Sequence, residues 1–152
     1  MKKLITLIIL LFIYNLSFTQ TFNTGSVEFD ADLGVINANA KLDLKTFKVD
    51  LNLSHHISIP KIDELLKIME PVEIILAKDI ADIVQKPLED VVSSYKVNKD
   101  KGWGYIAKEL GIKPGSPEFH ALKGKSKKSK TKGVSSSKGK GNSESKGNRK
   151  KK

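Results

Sequence analysis

The sequence predicts an all-α fold: a small single-domain array of five to six short helices with a helix-turn-helix-like C-terminal corner, followed by a disordered basic tail. Three observations predict it. Leu33, Ile36, Ala40, Leu44, Phe47 and Leu51 recur at steps of three and four, which keeps them on one helical face. Pro60, Pro71 and Pro87 each open an apolar-periodic segment, as proline does in a first helical turn. From Gly124 onward Lys, Ser, Gly and Asn dominate and Val134 is the only aliphatic residue, too little apolar surface to offset the entropy of ordering.

Residues 1–19 read as a signal peptide. Lys2 and Lys3 form a positive n-region, Leu4 to Tyr14 an apolar run, and Ser17 and Thr19 place cleavage before Gln20. A membrane span needs about 20 apolar residues, so this run suits an h-region better than an anchor. Residues 20–29 form an N-terminal lead, broken at Gly25 and Ser26, with Val27 and Phe29 expected to dock on the core.

The helical domain occupies residues 30–123. One helix over 31–53 would be about 35 Å long, too long for so small a globule. Asp43 as an internal N-cap splits it into helices at 31–41 and 44–54. Phe47, Val49, Leu51 and Leu53 also alternate as a strand would, but the longer ladder decides for helix. After a connection from Ser54 to Ile59, the Pro60 helix buries Ile62, Leu65, Leu66 and Met69. The Pro71 helix, with Val72, Ile75, Leu76, Ile80, Ile83 and Val84, is the most apolar and is expected at the centre. The Pro87 helix turns Leu88, Val91, Val92 and Tyr95 inward, and a polar loop follows from Lys96 to Gly102.

Tyr105 to Leu110 reads as helix, with Gly111 as its C-terminal cap and Ile112 folding back. Pro114 and Gly115 make a turn. Ser116 caps a last helix that begins at Pro117, buries Phe119 and Leu122, and ends by Lys123.

Charge divides the chain. The net charge of the 152 residues is +10, yet residues 20–123 hold 13 basic against 16 acidic side chains. Residues 124–152 hold twelve Lys/Arg and only Glu144. The candidate polyanion-binding residues are Lys125, Lys127, Lys128, Lys130, Lys132, Lys138, Lys140, Arg149, Lys150, Lys151 and Lys152. Anionic polysaccharide, lipopolysaccharide, phospholipid headgroups and extracellular nucleic acid are the partners such a segment attracts. No aromatic residue interleaves the lysines, so bases have no stacking platform. A solvated tail without a dedicated partner is the plainer alternative.

The segment GWGYIAKELGIKPGSPEFHALK, residues 102–123, resembles the C-terminal signature of a family of small secreted bacterial proteins of unknown function. Gly102, Trp103, Gly104, Gly111, Pro114, Gly115, Ser116 and Phe119 carry the likeness and are assigned structural roles, with Trp103 expected in the core. The resemblance implies export and implies no activity. The stretch from Ile106 to Ser116 also resembles the turn of a helix-turn-helix, as in region 4 of sigma factors. Pro117 stands where that family has a β-branched apolar residue. The helix that would enter the groove carries Glu118 and a single lysine, few phosphate contacts for a DNA reader.

No catalytic, cofactor-binding or metal-ligating constellation is expected. The chain has no cysteine, which removes disulfides and thiolate chemistry. Adjacent His55 and His56 do not share a face, and His120 beside Glu118 has no visible partner. Ser93, Ser94 and Ser116 form no nucleophile elbow. Asp79, Asp82, Glu89 and Asp90 read as a solvated helical face. Gly124-Lys125-Ser126 ends like a phosphate-binding loop, but Phe119 stands where that loop needs glycine. The expectation is a periplasmic or secreted, non-enzymatic binding or structural module held to anionic envelope or matrix material by its tail. The alternative is a nucleic-acid-binding protein using a degenerate helix-turn-helix together with that tail.

Overall fold

A computed structural model describes residues 22–136, and their side chains as far as Lys130. The expected signal peptide at 1–19 lies outside the described residues, as do Lys138, Lys140 and 149–152 of the basic segment. Seven α-helices and one 3₁₀ turn make up the described fold, without a strand among those residues. They are α1 (Val27–Leu42), α2 (Leu44–His55), α3 (Ile59–Leu65), α4 (Pro71–Val84), α5 (Leu88–Asn98), α6 (Trp103–Glu109) and α7 (Pro117–Ser136). The 3₁₀ turn Lys99–Lys101 follows α5 directly. The described helices therefore exceed the five to six expected, and no helix among them is long and apolar enough to cross a membrane.

Local chemistry sets the helix ends. Ser26 accepts the Phe29 N–H at 3.4 Å and starts α1, earlier than expected, so Val27 stands 88% exposed instead of docking. Asp43 accepts the Thr46 N–H at 3.0 Å and divides α1 from α2, as its sequence position predicts. Pro60 and Pro71 lie in the first turns of α3 and α4. At the end of α6 the Ile112 N–H reaches the Ala107 carbonyl at 2.8 Å and the Gly111 N–H reaches Lys108 at 3.0 Å. That is a Schellman closure, with Gly111 at φ +105° and Ile112 buried behind it. Pro114 and Gly115 then turn the chain, and Ser116 Oγ accepts the Phe119 N–H at 3.2 Å.

Helix α4 is the centre of the array and packs against α1, α2, α5 and α7. Its Val72, Ile74, Leu76 and Ile80 meet Phe29 and Leu33 of α1, Ile106 of α6 and Leu122 of α7 in one hydrophobic core. Each fully buried aliphatic side chain of this kind contributes about 1.5–3 kcal/mol. Leu44, expected on the buried ladder, is 38% exposed at the start of α2. It sits on the turn that separates α1 from α2, where the two helices part.

The end of the domain is the largest departure from expectation. The last helix, expected to end by Lys123, continues to Ser136. Phe119, Leu122, Ser126 and Ser129 follow one another at helical spacing toward the globule, with Leu122 and Ser126 each 2% exposed. Small serines let the helix lie close between Leu122 and Val134, where the sequence has no aliphatic or aromatic residue, and lysines flank them on both sides.

Candidate functional site

Helix α7 meets an acidic seam on α1 and α4. Glu28 and Asp32 lie one turn apart on α1, and Asp79 and Asp82 lie three residues apart on α4. Lys127 and Lys123 bond Glu28 at 3.0 and 3.3 Å, and Lys130 bonds Asp32 at 2.6 Å. Lys125 reaches Asp79 at 3.1 Å and Asp82 at 3.8 Å. The hydrogen bond from Lys127, then that from Lys123, holds the Glu28 carboxyl below its usual range. Reciprocally, Glu28 holds the Lys127 ammonium protonated above the usual lysine range. Of the expected polyanion-binding residues, Lys125, Lys127 and Lys130 thus already have carboxylate partners within the fold. Lys128 is exposed to solvent, and Lys132 lies in the helical backbone beyond the described side chains.

Asp79 is buried at 2% exposure, not part of a solvated face. Burial raises its pKa, and the Lys125 ammonium opposes that shift. His55, at the end of α2, stands beside it. One donor atom from each of His55, Asp79 and Asp82 falls within 4.8 Å of the others. Burial lowers the His55 pKa, with Asp79 acting against it. A histidine and two carboxylates are donors suited to a divalent cation. Here Lys125 already supplies the positive charge among them. Sequence inspection paired His55 with no carboxylate, because the partners lie on another helix and are brought in only by packing.

Beside this cluster a cleft of about 610 Å³ opens between α1 and α2. Ile36, Ala40, Phe47, Leu51 and Ile75 form its apolar floor. Leu42 and Leu53 stand at its lips, 86% and 69% exposed. Asp43, Asp50 and His55 add polar groups, and Ser129 and Lys130 of α7 close one side. A volume of this size lies in the range of small-molecule sites, roughly 300–1,000 Å³.

The glycine-tryptophan signature has a different task. Trp103 is 3% exposed, and its indole stacks on Tyr95 with centroids 5.2 Å apart. Trp103 Nε1 donates to Glu73 Oε1 at 3.0 Å and Tyr95 OH donates to Glu73 Oε2 at 2.9 Å. Burial, then the Glu73 charge, pushes the Tyr95 pKa upward, so its hydroxyl stays a donor. Glu73 Oε2 also accepts the Glu70 N–H at 2.8 Å at the start of α4. The flanking glycines permit a close backbone approach. Trp103 N–H and Gly104 N–H bond the Phe22 and Asn23 carbonyls, each at 2.8 Å. A Cβ at Gly102 would fall 2.3 Å from Asn23 Cβ, and one at Gly104 would fall 2.8 Å from the Asn23 oxygen. The lead segment is thereby pinned, with Phe22 and Thr24 buried. Glu73, the residue on which this network converges, was legible only as a charge inside an apolar helix.

The remaining singled-out residues do not converge with these. His120 and Glu118 are exposed on the first turns of α7, where the Ser116 hydroxyl lowers the Glu118 pKa. The α6–α7 connection runs from Leu110 to Ser116, longer than the turn of about three or four residues in a helix-turn-helix. No family model, curated protein or solved structure matches the chain.

Proposed function

We propose that the protein is exported, as the resemblance to a small secreted family implies, and that it is a non-enzymatic binding or structural module held to anionic envelope or matrix material by its C-terminal cations. The observation that supports this reading is the division of charge along the C-terminal part of the chain. Residues 20–130 carry 17 basic and 16 acidic side chains, close to neutrality. Residues 131–152 carry eight basic side chains against Glu144 alone. The lysines that pair with Glu28, Asp32 and Asp79 belong to the near-neutral part. Anion attraction therefore falls to Lys128, Lys132 and the cations beyond them, not to the whole of 124–152. Helix α7, which carries Lys128 and Lys132 and precedes the others in the chain, is attached to the domain through Phe119, Leu122 and the ion pairs.

The test is retention on immobilised heparin and on anionic vesicles across a salt series, for the full chain and for a chain ending at Ser136. The full chain is expected to elute later, with retention falling steeply as salt rises. Equal retention of the shortened chain would overturn the reading. Stronger binding to duplex DNA than to heparin, with sequence preference surviving the truncation, would favour the nucleic-acid alternative.

A further inference from the structure

We propose that the cleft between α1 and α2 is a binding site for a small amphipathic cation, a molecule with an apolar body and a protonated amine. This function is separate from polyanion attachment and uses different residues.

The apolar body is indicated by the floor. Ile36, Ala40, Phe47, Leu51 and Ile75 face a space of about 610 Å³, and Leu42 and Leu53 extend the apolar surface to the lips. Seven apolar side chains around one opening offer a chain or ring system far more contact than water does.

The charge of the head group follows from the lining. Its ionisable residues are Asp43, Asp50, His55 and Lys130. Lys130 is neutralised by Asp32 at 2.6 Å. His55 is pushed toward its neutral form by burial. Asp43 keeps its carboxylate below the usual range because it accepts the Thr46 backbone N–H, and Asp50 is an exposed carboxylate one side along α2. Lys45 is the one cation whose charge acts on Asp43, so the two carboxylates, Asp43 and Asp50, leave the mouth net negative, which attracts an ammonium and repels a carboxylate or phosphate. The sign is opposite to that of the basic segment, so the two surfaces select opposite ligands. Helix α7 completes the wall through Ser129 and Lys130, so the cleft depends on the same ion pairs that seat that helix.

The experiment is calorimetric titration of the full chain with dodecylammonium and with dodecanoate, both below their micellar concentrations. Methyl NMR in parallel locates the site. One dodecylammonium is expected per chain, bound about tenfold more tightly than dodecanoate, as two partly screened charge contacts provide. Methyl shifts should concentrate on Leu42, Leu53 and Ile75 and spare Val97, which does not line the cleft. The double variant Asp43→Asn, Asp50→Asn should lose most of the preference while folding normally, since asparagine also caps helices. Leu53→Lys, at an exposed lip, should weaken dodecylammonium without unfolding the domain. Equal or tighter dodecanoate binding would overturn the proposal, as would shifts spread evenly over the surface or an unaffected Leu53→Lys variant. A dimer that Leu53→Lys returns to monomer would also overturn it, because the cleft would then belong to a second copy. Failure here leaves heparin retention unchanged, and loss of heparin retention leaves this binding unchanged.

Discussion

Trp103 and Glu73, thirty positions apart, meet through a 3.0 Å hydrogen bond from the indole N–H to a carboxylate that is 8% exposed. Tyr95 shares the same carboxylate from the other oxygen. One buried acid thus joins α4, α5 and α6. Replacing Glu73 with Ala leaves two buried side-chain donors without an acceptor, each costing about 1–3 kcal/mol. Urea unfolding followed by Trp103 emission should show a loss of about 2–4 kcal/mol. Glu73→Gln, which keeps one acceptor oxygen, should lose less. A Glu73→Ala variant as stable as the parent would remove this carboxylate from the account of the fold.

The glycines around Trp103 are explained by the segment they touch. Gly104→Ala places a methyl 2.8 Å from the Asn23 oxygen, and backbone cannot yield there as a flexible side chain would. Residues 22–24 should detach, exposing Phe22, at a cost of about 1–3 kcal/mol. Limited proteolysis should then cut the lead first. Removing residues 22–24 should produce a similar loss, and combining it with Gly104→Ala should cost little more, since both act on one contact.

Asp79 makes stability depend on pH in a defined direction. Its pKa in the fold lies above the ordinary 3.8, chiefly through burial. The stability it contributes is therefore fully present below pH 3.8 and is lost as pH rises through the folded value. Unfolding of the parent and of Asp79→Asn across an acid pH series should show the parent's relative advantage shrinking as pH rises. Lys125→Met removes the opposing ammonium and should widen that window upward. Lys125 is 41% exposed in its side chain, so the loss at neutral pH should be about 1–2 kcal/mol, well under that of a fully buried pair.

Helix α7 is seated by two kinds of force along its length. Near its start Phe119 packs edge-on against Phe29 at 6.1 Å and Leu122 enters the core. From Lys123 to Lys130 the attachments are ion pairs with Glu28, Asp32, Asp79 and Asp82. Salt at about 1 M shortens the screening length to about 3 Å. Amide exchange should then accelerate over residues 124–130 while α4 stays protected. Uniform protection of α7 at both salt levels would mean that the ion pairs do not hold it.

Much of the fold was legible because the deciding signals are local. Asp43 caps α2, Pro60 and Pro71 open α3 and α4, and Gly111 with Ile112 closes α6, each through contacts within a few residues. The ladder from Leu33 to Leu51 identified a buried face, and the apolar α4 identified the centre. The site was less legible. His55 lies next to Asp79 only because the end of α2 packs against α4. The cleft exists because α1 and α2 diverge at Asp43, an angle that periodicity does not encode.

The sequence by itself determined where most helices begin, which sides of them are apolar, and that net positive charge collects at one end. Those properties depend on neighbours within a turn or two, or on composition. Only the tertiary structure decided that the helix beginning at Pro117 continues past Lys123, because its lysines find partners such as Asp32 and Asp79 far away in the chain. It also decided that Asp79 is buried, that Glu73 serves Tyr95 and Trp103, and that α1, α2 and α7 leave a cleft among them. Long-range electrostatic and hydrogen-bond partners are chosen by packing, and packing is set by the whole chain at once.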